Sequence, residues 1–208
     1  MIAMKPEHLQ KIDKLLLDYG NSAKPLINEI SKRHKDGKVP ENLLNEIRAL
    51  NDHIARCYRS GVDDKYIDGE LGKAEGHMRR LLYDCFKQLN IYISDNLKRK
   101  ERRTYSNRWL YYDEGKFWHQ YTEWKQNAQD DVIEAKKQES IDSDAALKFF
   151  ESGYRNYRKI EELFKGNRNF LRSSSVWGFL SKAFHGIWWL LVTVFLSVVA
   201  ALIGYFIL

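Results

Sequence analysis

Proline and cysteine are among the scarcest residues in this chain, with three and two copies in 208 residues. All three prolines, Pro6, Pro25 and Pro40, precede residue 41, so no proline interrupts a helix beyond that point. Cys57 and Cys85 alone supply neither a disulfide framework nor a four-cysteine zinc site, and a reducing compartment fits them. There is no glycine-rich phosphate loop, no G-x-S-x-G and no H-E-x-x-H, which removes the usual hydrolase and nucleoside-triphosphatase readings. No metal site and no cofactor is implied. His53 and Cys57 stand four apart on one helix, but no second clustered pair completes a tetrahedral set. Alternating β-branched runs are also few, which leaves helices as the expected structure.

Charge is absent from one long stretch. The segment IWWLLVTVFLSVVAALIGYFIL, Ile187–Leu208, has no charged residue, in a chain that otherwise carries 34 Lys+Arg and 28 Asp+Glu. A helix over this stretch, rising about 1.5 Å per residue, would be roughly 33 Å long, close to the hydrocarbon thickness of a bilayer. Trp188, Trp189 and Tyr205 near its ends suit the headgroup boundary, and Arg168, Arg172 and Lys182 precede it. The expectation is a single-pass anchor in a bacterial inner membrane, with the rest of the protein on the cytosolic side. Met1–Gly20 is interrupted by Lys5, Glu7, Lys11, Asp13, Lys14 and Asp18, so no signal peptide is expected there. The net charge of +6 suits an anionic membrane surface or nucleic acid.

The expected fold class is all-α: a helical bundle of about six helices plus one C-terminal transmembrane helix. A first helix over Pro6–Tyr19 would present Leu9, Ile12, Leu15 and Leu16, with Gly20 and Asn21 ending it; Ser22–Lys35 makes a second, closed by Gly37. Pro40–Ser60 carries Leu43, Ile47, Leu50, Ile54 and Tyr58 as its apolar stripe. The polar segment VDDKYIDGE then reads as a loop. A long fourth helix over Glu70–Arg103 follows from Leu71, Ala74, Met78, Leu81, Cys85, Leu89, Tyr92 and Asn96. The fifth, Asn107–Glu139, is aromatic-rich in its first half, and the sixth runs from Ser143 or Asp144 to near Asn169. Organisation follows: 1–172 a cytosolic α-helical domain, 173–186 a hinge (Ser173–Ser175) with the interfacial helix VWGFLSKAFHG, and 187–208 the anchor.

In the third helix, RALNDH sets an arginine, Arg48, and a histidine, His53, with four residues between them. This resembles the R-x4-6-H signature of the HEPN superfamily, helical domains that often dimerise and in many members cut RNA. The resemblance extends over about 40–164 and includes the partner helix DGELGKAEGHMRRLLYDCFK. It implies Arg48 and His53 as catalytic residues of a metal-independent endoribonuclease, the histidine moving a proton and the arginine stabilising phosphate charge. The polar residue that often follows the family's arginine is Ala49 here. Five residues turn about 140° around a helix, so one subunit would not bring the two side chains together, whereas a symmetric dimer would gather two pairs. Structural use of Arg48 and His53 at the flanks of a core helix stands beside the catalytic one.

Other positions carry weaker chemistry. Lys98, Arg99, Lys100, Arg102, Arg103 and Arg108 form the densest positive run and would bind RNA or lipid headgroups, with Tyr105, Trp109, Tyr111 and Tyr112 as stacking neighbours. His77, Arg79 and Arg80 could add phosphate contacts or form a solvated face. In the anchor, Thr193, Ser197, Ala200, Ala201 and Gly204 share one small, weakly polar stripe, which would let helices self-associate. A helical HEPN-like core joined to one membrane span is similar to the accessory pore proteins of some RNA-targeting CRISPR systems. That resemblance implies a membrane effector that homo-oligomerises, responds to RNA or a cytosolic protein trigger, and permeabilises the membrane in antiviral defence. A non-catalytic membrane adaptor and a membrane-tethered ribonuclease are the alternatives.

Overall fold

The computed structural model describes residues 4–103, 112–172, 187–189 and 191–197. Among these residues every regular element is helical and no strand occurs, as the sequence predicts. The main elements are α1 (Pro6–Asp18), a π-helical turn (Tyr19–Ala23), α2 (Lys24–Arg33), α3 (Glu41–Arg56), α4 (Asp64–Arg103), a 3-10 turn (Tyr112–Gly115), α5 (Lys116–Gln138) and α6 (Ser143–Gly166). Contacts divide the chain into two compact units. The first comprises Met1–Asp95 with Trp124–Arg158, and the second Asn96–Glu123 with Lys159–Leu208.

The expected break at Gly20 and Asn21 does not occur. Backbone conformation stays right-handed from Asp18 to Lys24, and the Lys24 N–H donates to the Tyr19 carbonyl across a widened turn. Two features of the sequence account for it. Pro25 lacks an N–H, and its ring would crowd the carbonyl four residues back in a regular helix. Leu15, Tyr19, Ala23 and Ile27 recur every fourth residue, a spacing that precesses roughly 120° over three steps of an α-helix. The wider turn takes up that surplus, so Ile12, Leu15, Ala23, Ile27 and Ile30 all enter one core. The helix ends where His34 becomes extended, and Gly37, at φ 65°, makes the turn towards α3.

The segment VDDKYIDGE also departs from expectation. Asp64–Glu70 is not a loop but the opening turns of α4. The Asp63 carboxylate accepts the Tyr66 N–H at 2.8 Å, which caps the helix, and Gly61 at φ 80° supplies the turn before it. Ile67 is buried and extends the stripe of Leu71, Ala74, Met78, Leu81, Cys85 and Leu89 one turn towards the N-terminus. Further along α4, Ile93 and Leu97 are the buried positions, while the expected Tyr92 and Asn96 are only half-buried.

In the first unit α4, α5 and α6 approach closely at Gly153. A Cβ built there would lie 3.3 Å from the Ala128 carbonyl oxygen, 3.3 Å from Val132 Cγ2 and 3.4 Å from Asn90 Oδ1. Asn90 is buried and its amide donates to the Phe150 carbonyl at 2.8 Å. Tyr154 on α6 reaches Glu29 on α2 at 2.8 Å, and burial with that carboxylate alongside pushes its phenol up.

The second unit is built on aromatic rings. Phe117 lies 6.0 Å from Phe164 and 5.6 Å from Phe170, and Tyr121 stacks on Phe164 at 5.6 Å. The fifth helix starts at Lys116, later than expected, because Asp113, Glu114 and Gly115 take left-handed φ values of 51°, 55° and 83° immediately before it. Asn107 and the other expected residues of that helix before Tyr112 lie outside the described residues.

Candidate functional site

Helices α3 and α4 meet along a polar seam. On α3, Glu46 and His53 are seven residues apart and Arg56 follows three later, a spacing that keeps all three on neighbouring edges of the helix. On α4, Glu70, Lys73, His77 and Arg80 step by three and four. The seam therefore arises from two interlocking helical periodicities.

His53 Nδ1 lies 2.7 Å from Glu70 Oε2, and Lys73 Nζ donates to Glu70 Oε1 at 2.7 Å. Arg56 Nη1 stands 3.6 Å from the same carboxylate. The Glu70 side chain is only 4 % exposed, which by itself would favour its neutral form. The hydrogen bonds from His53 and then Lys73 outweigh that desolvation and lower the carboxyl to about 2. A second pair repeats the arrangement: His77 Nδ1 is 2.8 Å from Glu46 Oε2, and Arg80 Nε donates to the same oxygen at 3.2 Å. Arg80 Nη2 also lies 2.9 Å from His77 Nδ1, so that nitrogen either donates to Glu46 or accepts from Arg80 according to its tautomer. The two imidazoles stack on each other, with centroids 5.1 Å apart and planes 22° apart.

Arg48 does not join this seam. It is exposed, and its nearest polar partner is Asn45 Oδ1 at 3.4 Å, one turn back on α3. Since α3 is continuous from Glu41 to Arg56, the five-residue spacing directs Arg48 and His53 to different faces. Glu46 and Glu70, the carboxylates that orient the two histidines, were not singled out by the sequence. A usable signal existed: both sit at helical spacing from a histidine, Glu70 seven before His77 and Glu46 seven before His53. Arg79 pairs with Asp144 at 3.3 Å rather than contributing to a cationic groove.

The seam can hold protons and orient imidazoles, but its cations are matched by carboxylates. Among the described residues no group of three His, Cys, Asp or Glu side chains could hold a metal ion. Cys57 is buried with its Sγ 3.4 Å from the His53 carbonyl, and burial pushes its thiol up. Burial likewise pushes Cys85 up to about 12.

The basic run lies on the last turns of α4, where Lys98, Arg99 and Arg102 are exposed. Lys100 is half-buried, with Nζ 5.0 Å from the Phe164 ring centroid. Arg103 ends α4, its side chain lies outside the described residues, and so does Arg108. Tyr112, expected as a stacking platform, stacks instead on Phe170 at 3.6 Å. Tyr105, Trp109 and Tyr111 lie outside the described residues, as do the hinge and interfacial helix at 173–186.

Of the expected anchor, 187–189 and 191–197 are described and helical. Ile187, Trp188, Trp189, Leu191, Val194, Phe195 and Leu196 are all more than half exposed. Thr193 Oγ1 donates to the Trp189 carbonyl and Ser197 Oγ to the Thr193 carbonyl, each at 2.8 Å. Ala200, Ala201 and Gly204 lie outside the described residues. Among the described residues no helix is long and apolar enough to cross a membrane. The chain matches no known family, no curated protein and no solved structure.

Proposed function

We propose that this protein is a membrane-anchored helical effector whose segment Ile187–Leu208 spans a bilayer, self-associates through its small-residue stripe and permeabilises the membrane. The observation that carries the reading is the set of large apolar side chains between Ile187 and Leu196 that face outward from the helix. Water disfavours such a surface by about 25 cal/mol per Å², and lipid removes that cost. The hydroxyls of Thr193 and Ser197 return to carbonyls of their own helix, which is how polar groups are satisfied where no water reaches. A seam in which the histidines are committed to Glu46 and Glu70, with Arg48 on another face, favours a scaffold use of the helical region over RNA cleavage.

The test uses the full chain reconstituted into dye-loaded vesicles. Wild type should release the dye, and Ser197→Leu and Gly204→Leu should suppress release while remaining in the vesicle fraction. Protein that stays entirely in the aqueous fraction after flotation would refute the anchor. Stable insertion without release, at every protein-to-lipid ratio, would refute permeabilisation and leave a tether.

A further inference from the structure

The second unit contains a cavity of about 640 Å³ between the end of α4 and the end of α6, continued by helical residues 168–172. That volume is within the roughly 300–1,000 Å³ typical of sites for small ligands. Among the described residues four cations line it, Lys100, Lys165, Arg168 and Arg172, with one lining carboxylate, Glu161, and with Glu162 3.6 Å from Lys165 Nζ. Its floor is apolar: Phe164 and Leu171 supply carbon surface, and Phe164 is backed by Phe117 and Tyr121. Lys100 is positioned over that floor by the Phe164 ring.

The composition selects the ligand. Several cations around one mouth suit a phosphate oxygen set, and arginines can grip it through paired N–H groups. An apolar floor beside those cations suits a molecule whose phosphate is followed at once by hydrocarbon. A free phosphate uses only the first property. Bases of RNA call for exposed aromatic faces to stack on, whereas Phe164 is 4 % exposed and hemmed in by its neighbours. From Arg172 the chain leads on to the apolar segment beginning at Ile187. We propose that this cavity binds the phosphodiester headgroup of an anionic phospholipid, with Lys165, Arg168 and Arg172 holding the phosphate and the half-buried Leu171 receiving the first methylenes. The proposal rests on Ile187–Leu208 lying in a bilayer, which brings such headgroups to the cavity.

The experiment uses the full chain in two arms. In the first, wild type and variants are floated with pure phosphatidylcholine vesicles, which reports insertion alone. In the second, protein extracted from mixed phosphatidylcholine and phosphatidylglycerol vesicles is measured by native mass spectrometry for retained lipid. Wild type should retain phosphatidylglycerol with a preference of about tenfold or more, given the usual contribution of each basic side chain near anionic lipid. The triple variant Lys165→Gln/Arg168→Gln/Arg172→Gln should lose that preference and still float. Arg168→Lys/Arg172→Lys, which keeps the charge, should retain part of it, and this guards against a variant that merely misfolds. Equal retention of both lipids by floating wild type would overturn the proposal, as would an undiminished preference in the triple variant. Displacement of the lipid by inorganic phosphate would reassign the cavity to a free anion, and displacement by a single-stranded RNA would reassign it to nucleic acid; either overturns it. Failure to float refutes the anchor, and phosphatidylglycerol retention from detergent solution then decides the cavity separately.

Discussion

Replacing Gly153 by alanine adds a methyl group 3.3 Å from the Ala128 carbonyl oxygen and from Val132 Cγ2, and 3.4 Å from Asn90 Oδ1. Two of those three neighbours cannot easily yield, one being backbone on α5 and the other a buried amide tied to the Phe150 carbonyl. Overpacking of this kind costs typically about 1–3 kcal/mol, offset by about 1 kcal/mol for removing glycine from a helix interior. Gly72, exposed on α4 with nothing within 4 Å of its would-be Cβ, supplies the control. There only the helical gain operates, so Gly72→Ala should stabilise by about 0.5–1 kcal/mol. The two variants should therefore differ by about 1–3 kcal/mol, on the order of 2–12 °C in Tm for a chain of this size. The measurement is the loss of helical circular dichroism on heating the full chain in detergent, with both variants beside wild type. A Gly153→Ala protein as stable as Gly72→Ala would refute the close approach of the three helices.

Glu70 is lowered to about 2 from an ordinary value near 4.5, so its charged form is favoured by the fold. The stability this confers is fully present above pH 4.5 and is lost as the pH falls towards 2. Melting temperatures between pH 6 and pH 3 should therefore fall less steeply for Glu70→Gln, which is less stable throughout, than for wild type. Cys57 and Cys85 are both buried, and burial holds both thiols protonated. A thiol reagent at neutral pH should label neither in the native protein and both in denaturant; rapid native labelling of Cys85 would contradict its place in the core.

The helical class was legible because spacing alone, as in Leu71, Ala74, Met78, Leu81, Cys85 and Leu89, dictates which side must be buried. Boundaries were harder. Gly20 and Asn21 read as a stop because glycine and asparagine often terminate helices, yet here Pro25 and a four-residue apolar spacing act together over a longer range. VDDKYIDGE read as a loop because its polar residues hide Ile67, whose partner Leu71 lies a turn away. The Arg48 and His53 pair was visible as a string, but the carboxylate that decides what His53 does, Glu70, comes from α4. Such pairings are set by how two helices face each other, which no local window contains. The apolar character of the segment from Ile187 was legible because charge disappears from it altogether, a local property that depends on no partner helix.

The widened turn at Tyr19–Ala23 already accommodates more chain than an even coil requires. Deleting Asn21 there would keep Ile12, Leu15, Ala23, Ile27 and Ile30 on one face, at the local cost of setting the Pro25 ring against a carbonyl, whereas losing one residue from the middle of α3 would swing Leu50 and Cys57 out of the interior together. Length variation in this protein should therefore be tolerated at that turn and selected against in the segment that carries His53.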